Sequence, residues 1–273
     1  MSALEAVALA IVALFVIGRA RLGDGRGFFV RLGLLVVASF VAEDTAIRLY
    51  GFYFYDERWS VFIDKVPLAI LLIWPVVIHS AWDLSRHLMG GTGARVVVAG
   101  TALVLADASL IEPVAVQSGL WRWTEPGLFA VPPIGVVGWA FHAGLCMLAL
   151  ERAAGKSSRE AWVLLTPLGT HALLLASWWS FFRWVNGVIP PWPAVVLAWA
   201  LSMLLMRRSV LHRARHLVPL GELALRIPAA AFFFVLLAVY GRTRLDLVAW
   251  TLSFAPPYLS LLDFDALGRT RAP

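Results

Sequence analysis

Residues 95–123 read RVVVAGTALVLADASLIEPVAVQSGLWRW, and this stretch decides the fold class. From Val96 to Ile111 the run is apolar or small, with Asp107 its one charge. The apolar residues are continuous rather than alternating, so the run reads as a membrane-crossing helix and not as a barrel strand. It ends on Glu112-Pro113 and is followed by Gly119-Leu120-Trp121-Arg122-Trp123, then Val131-Pro132, then Trp139. The same order occurs earlier: Glu43, Gly51-Phe52-Tyr53-Phe54-Tyr55, Val66-Pro67, Trp74. Proline and tryptophan are seven residues apart in both copies, while glutamate and glycine are eight apart in the first and seven in the second. A carboxylate at a helix end, an aromatic-x-aromatic segment and a Val-Pro helix start therefore recur in order.

The rest of the chain agrees with a membrane protein. Of 273 residues, 60% are hydrophobic and 15% charged, against about 25% charged in soluble domains. Apolar runs near 2–18, 28–48, 66–84, 95–112, 131–150, 161–182, 191–206, 227–240 and 246–262 predict an all-α polytopic protein with eight or nine transmembrane helices and no separate soluble domain. The last two runs are short, which suits tilted or re-entrant segments. Ser2 to Gly18 has no basic stretch before it and reads as a retained helix rather than a signal peptide.

The net charge of +6 is carried almost wholly by arginine, with Lys65 and Lys156 the only lysines. No basic stretch is long enough for a nucleic-acid surface. The charge instead sets topology. Basic connections hold Arg19, Arg21, Arg26 and Arg31; Arg86 and Arg95; Arg152, Lys156 and Arg159; and Arg207, Arg208, Arg213, Arg215 and Arg226. The positive-inside rule puts these in the cytoplasm, with the N-terminus outside and Arg269 and Arg271 inside. Both copies of the doubled pattern then lie on the extracytoplasmic side, at the ends of parallel two-helix units near 28–84 and 95–150. A fainter third unit near 161–206 has Ser177-Trp178-Trp179, Phe182-Arg183-Trp184, Ile189-Pro190-Pro191 and Trp199, without a matching acid.

Ionisable groups within membrane helices are costly and mark function by default. Glu43, Asp44, Asp107 and Glu112 are therefore the candidate catalytic residues, with simple solvation among headgroups as the alternative. A carboxyl group in an apolar site can stay protonated near neutral pH and serve as a general acid. Tyr53, Tyr55, Trp121 and Trp123 alternate, so each pair projects to one side if the segment is extended. With Trp74 and Trp139 they form either an interfacial belt or the lining of a cavity, whose aromatic faces would suit a cation.

Other features are weaker. Cys146 lies in an apolar run and excludes an intrachain disulfide. His212 and His216 are spaced i, i+4 but lack a matching acid, and His79 with Asp83 has the same spacing and reads as a local hydrogen bond. No metal motif, phosphate loop or Ser-His-Asp order is present, so no metal or cofactor is expected.

The motifs from Glu43 to Trp139 resemble the bacterial and archaeal carotenoid-biosynthesis membrane proteins typified by the CruF-type carotenoid 1',2'-hydratase, which include the bacterioruberin-pathway hydratase. Gly51 to Tyr55, Val66-Pro67 with Trp74, Glu112-Pro113-Val114-Ala115-Val116, Gly119 to Trp123, and Val131-Pro132 with Gly138-Trp139 carry the resemblance. It implies a membrane enzyme, in a bacterial or archaeal cytoplasmic membrane, that adds water across the terminal double bond of a linear carotenoid. Its partners would be a lipophilic polyene in the bilayer and other enzymes of the pathway. Glu43, Asp107 and Glu112 match acidic positions of that pattern, and Tyr53, Tyr55, Trp121 and Trp123 match its aromatics. The chain departs from the pattern at Gly135, where an asparagine is usual, and in the five-residue step from Asp107 to Glu112.

Three rivals stand beside the hydratase. A cyclase or isomerase would share the protonation step and exclude water. A proton-coupled transporter or lipid-binding protein would also suit helical pairs with acids. A scaffold for pigment synthesis would need no acid at all.

Overall fold

The structure is a computed structural model and describes residues 2–21, 25–153, 157–185, 187, 189–211, 218 and 226–260. Lys156, His212, Arg213, Arg215, His216, Arg269 and Arg271 lie outside the described residues. The chain is an all-α polytopic membrane protein. Its helices are α1 (Ser2–Ala20), α2 (Gly25–Thr45), α3 (Leu68–Met89), α4 (Ala94–Gln117), α5 (Pro133–Ala153), α6 (Ala161–Val185, part 3₁₀ and part π), α7 (Pro191–Leu211), α8 (Ile227–Gly241), α9 (Leu245–Leu252) and α10 (Ala255–Ser260). Among the described residues each expected apolar run is mainly helical, the last being split into α9 and α10. Six helical segments among the described residues are long and apolar enough to cross a membrane. Continuous helix is what hydrocarbon demands, because every backbone N–H and C=O must find its partner within the segment.

The two copies of the motif end their helices alike. Beyond α2 the chain widens into a π turn, Ala46–Tyr50, and stops at Gly51 with φ +59°. Beyond α4 it stops near Gly119 with φ +70°. Both glycines sit in the left-handed region that side chains disfavour, which accounts for the glycine in each copy. The chain then runs as strand β1 (Tyr53–Tyr55) after Gly51 and strand β4 (Trp121–Trp123) after Gly119. Between them, β2 (Phe62–Ile63) and β3 (Val66–Pro67) make a small hairpin that leads into α3.

β1 and β4 pair antiparallel, with Tyr53 opposite Trp123, Phe54 opposite Arg122 and Tyr55 opposite Trp121. The register is symmetric about Phe54 and Arg122. This ribbon gathers the ends of α2 and α4 and the starts of α3 and α5 at one end of the bundle. Below it, Leu35, Trp74, Ile78, Val104, Cys146 and Met147 pack into the main buried core.

α8 and α9 pack beside the upper part of α4, and α10 packs on α7. Gln117 at the top of α4 donates to the Tyr240 carbonyl (3.5 Å), and Trp250 donates to the Ser109 carbonyl (2.8 Å). That second bond has a covalent cause. Pro113 has no N–H to give to the carbonyl four residues back, which is Ser109, so a tryptophan indole takes its place. Arg226 and Tyr258 meet α4 at Asp107, ten residues and about 15 Å below Gln117. α8 therefore begins well inside the bundle, which explains its shortness.

Candidate active site

Glu43 and Glu112 are both buried, at 9% and 2% exposure, and each holds three donors from its own copy of the motif. Oε2 of Glu43 accepts from the Tyr53 and Tyr55 hydroxyls (Tyr55 at 2.8 Å), and Oε1 from Trp74 Nε1 (2.8 Å). Oε2 of Glu112 accepts from Trp121 and Trp123 Nε1, both at 2.8 Å, and Oε1 from Trp139 Nε1 (2.8 Å). The strands make this possible. Alternate residues of an extended chain face one way, so β1 aims both tyrosines at Glu43 and β4 aims both tryptophans at Glu112. Phe54 and Arg122 face the other side, where the guanidinium stacks over the phenyl ring (5.9 Å).

The aromatics also join the two copies. Tyr53 packs on Trp123 (ring centroids 4.8 Å), Tyr55 on Trp121 (5.9 Å) and Trp74 on Trp139 (4.8 Å). Burial first, and then the charge of Glu43, hold both tyrosines well above the ordinary phenol range, so they stay neutral donors. All six candidate aromatics and both glutamates line one cavity of about 520 Å³. Most of its wall is apolar, from Ala8, Ile11, Ile73, Val77, Phe232 and Phe254 among others.

The other two acids lie elsewhere. Asp107 lines the same cavity at a lower level, ion-paired with Arg226 and accepting from Tyr258 (2.8 Å). Asp44 is not part of the cavity wall. It binds Arg48 (2.9 Å) and the Lys65 backbone N–H (3.2 Å) at the ribbon end. Asp83, with His79 (2.9 Å), also binds Arg19 (2.6 Å). The aromatics of the fainter third unit reach other partners: Trp178 donates to Glu125 (3.3 Å) and Trp199 to the Ala249 carbonyl (2.9 Å).

Two groups are not legible in the sequence. Arg226 and Tyr258 reach Asp107 from far along the chain, and no local spacing signals it. His142 lies 5.1 Å from the Trp74 ring, edge to face at 89°. The Thr170 hydroxyl spends its proton on the Thr166 carbonyl (2.9 Å), so towards His142 Nδ1 (3.4 Å) it can only accept. Nδ1 therefore carries the hydrogen, and Nε2 accepts from Ser39 (3.1 Å). This neutral, doubly bonded ring braces Trp74 against Glu43. The one available hint is that His142 lies three residues beyond Trp139, on the same face of α5.

Gly135 also has a physical reason. A Cβ there would lie 2.5 Å from Cζ2 of Trp123. The Trp123 ring fills the space that a side chain at 135 would need. Among the described residues, no three His, Cys, Asp or Glu side chains are grouped to hold a metal ion.

Comparison with known families matches residues 2–206 to the carotenoid biosynthesis protein family. The chain belongs to that family. Comparisons with curated proteins and with solved structures found no match. Family membership assigns the chain to carotenoid biosynthesis, and it covers both glutamates and all six aromatics. Arg226 and Tyr258 lie beyond the matched residues.

Proposed function

We propose that this carotenoid biosynthesis protein hydrates the terminal double bond of a linear carotenoid, with Glu43 as the acid. The observation that carries the reading is the convergence of two buried carboxyl groups and three cross-packed aromatic pairs on one apolar cavity. An apolar cavity suits a polyene, the carboxyl groups suit proton transfer, and aromatic faces stabilise a carbocation.

The donors divide the two acids by role. Two carboxyl groups facing one apolar cavity repel each other when both are ionised, and a proton on one relieves this. A protonated Glu43 can donate to a phenol oxygen, because tyrosine both donates and accepts. A protonated Glu112 would face three indole N–H groups, which only donate. Glu43 is therefore the proton donor, and Glu112 is the fixed negative charge that, with the aromatic faces, stabilises the cation. The Glu43 proton adds to the less substituted alkene carbon, and the electron pair of the double bond forms the new C–H bond. The tertiary cation left behind is then attacked by water.

One observation favours ring closure instead. Once Glu43 has given up its proton all six donors around the carboxylates are committed, so that end of the cavity offers little to hold water. The test is to incubate the purified protein with lycopene and weigh the product. A product heavier by one water supports hydration. Unchanged mass with altered retention supports cyclisation, and untouched substrate removes both readings for lycopene. The matched two-fold arrangement of the glutamates supports descent of both halves from one duplicated two-helix unit. By the arginine pattern, this end of the bundle faces away from the cytoplasm.

A further inference from the structure

The cavity has a second polar station, about 7.5 Å below the level of Glu112 by the five-residue rise along α4. Asp107, Arg226, Tyr258 and Ser80 meet there, and all four line the cavity. Arg226 pairs with Asp107, Tyr258 donates to Asp107 (2.8 Å), and Arg226 Nη1 donates to Ser80 Oγ (3.1 Å). The bonds of Arg226 run through Nη1 and Nη2, which leaves its Nε donor uncommitted among the described residues. Asp107, Tyr258 and Ser80 each keep a free lone pair by the same count, since Ser80 gives its proton to the Val77 carbonyl.

We infer that this floor holds the water that captures the cation. The inference rests on the hydration reading above. A buried water needs about two to four polar partners. Once Glu43 has given up its proton the carboxylate end has spent its six donors, whereas the floor offers one donor and several acceptors in a cavity with otherwise apolar walls. The geometry suits a reacting carbon between the two stations. Both stations face one cavity, so a polyene end lying in it can meet the carboxyl groups at one level and the floor at another. The water oxygen donates a lone pair to form the C–O bond, Asp107 takes the surplus proton, and exchange with solvent then removes that proton from Asp107 and returns one to Glu43. Arg226 and Tyr258 lie outside the family-matched residues and Asp107 and Ser80 within them, so the floor that captures the cation is built jointly by the matched region and the end of this chain.

The test is product partition in the full-length protein with lycopene. Tyr258→Phe keeps the ring and the Asp107–Arg226 pair while removing one water partner, and Ser80→Ala removes another. Arg226→Met strands a buried carboxylate and endangers folding, so it is not the deciding variant. The ratio of hydrated product to product of unchanged mass does not depend on how much enzyme folds. Each of the first two variants is expected to lower that ratio by about three- to tenfold, the worth of one hydrogen bond. A wild-type ratio in both variants overturns the inference and leaves hydration standing. A wild-type enzyme that yields no hydrated product overturns hydration, and the inference with it.

Discussion

Glu43 and Glu112 occupy matching places, yet one is held by two phenols and an indole and the other by three indoles. The difference is one of reversibility. A hydroxyl can turn and accept, whereas an indole N–H cannot. Two sites with the same number of donors thus differ in whether they tolerate a proton on the carboxyl group. Nearly symmetric geometry therefore supports unequal chemistry.

The largest expected effect comes from Glu43→Gln, which should lower product formation by about 10²–10⁴-fold, the usual worth of general acid catalysis. Mass-resolved turnover measures it, and a variant within a few-fold of wild type would remove Glu43 as the acid. Glu112→Gln should act more on stability. Its amide oxygen can still accept from Trp121 and Trp123, but its N–H₂ would then meet the Trp139 N–H, which only donates, at a cost of about 1–3 kcal/mol, seen as a lower unfolding temperature in detergent. Glu43→Gln should unfold closer to wild type, because the tyrosine hydroxyls can rotate to accept. Equal losses in the two variants would break the distinction between the sites.

The next effect concerns Trp123, which occupies the space beside Gly135. Gly135→Ala should cost about 1–3 kcal/mol through overpacking, and much less in a Trp123→Phe background, where the crowding ring atoms are gone. Additive losses in that double-mutant cycle would detach the two positions. The phenols should also be late to ionise. Burial and the Glu43 charge raise both tyrosines in the folded state, so their contribution to stability is complete below the unfolded phenol value of about 10 and is lost only as pH rises through their folded values. Spectrophotometric titration should show Tyr53→Phe and Tyr55→Phe each reducing the late part of the tyrosinate rise. The smallest effect is expected for Asp44→Asn, about 0–1 kcal/mol for an ion pair whose Arg48 partner is exposed. Its turnover should match wild type.

The helices were legible because lipid imposes long, continuous apolar runs, and among the described residues each expected run is mainly helical. The acids and aromatics were legible because they recur at nearly fixed spacing within short segments. What could not be read is how separated segments meet. Nothing local in Tyr53–Tyr55 announces its pairing with Trp121–Trp123, and Arg226 lies 119 residues from Asp107. Asp44 was a candidate by type alone. Next to Glu43 on a helix it projects about 100° away, towards Arg48 rather than the cavity. His142 was hidden for a different reason: its partners, Ser39 and Thr170, sit on two other helices.

The indole of Trp250 on the Ser109 carbonyl bears on how the chain can be cut. Proline at 113 leaves that oxygen without its usual helical partner, and the replacement comes from beyond the family-matched residues. A fragment ending at residue 206 would present a bare carbonyl to hydrocarbon, at a cost of several kcal/mol. The matched region is thus not a self-sufficient piece of this molecule. Its fourth helix borrows a hydrogen bond from the tail.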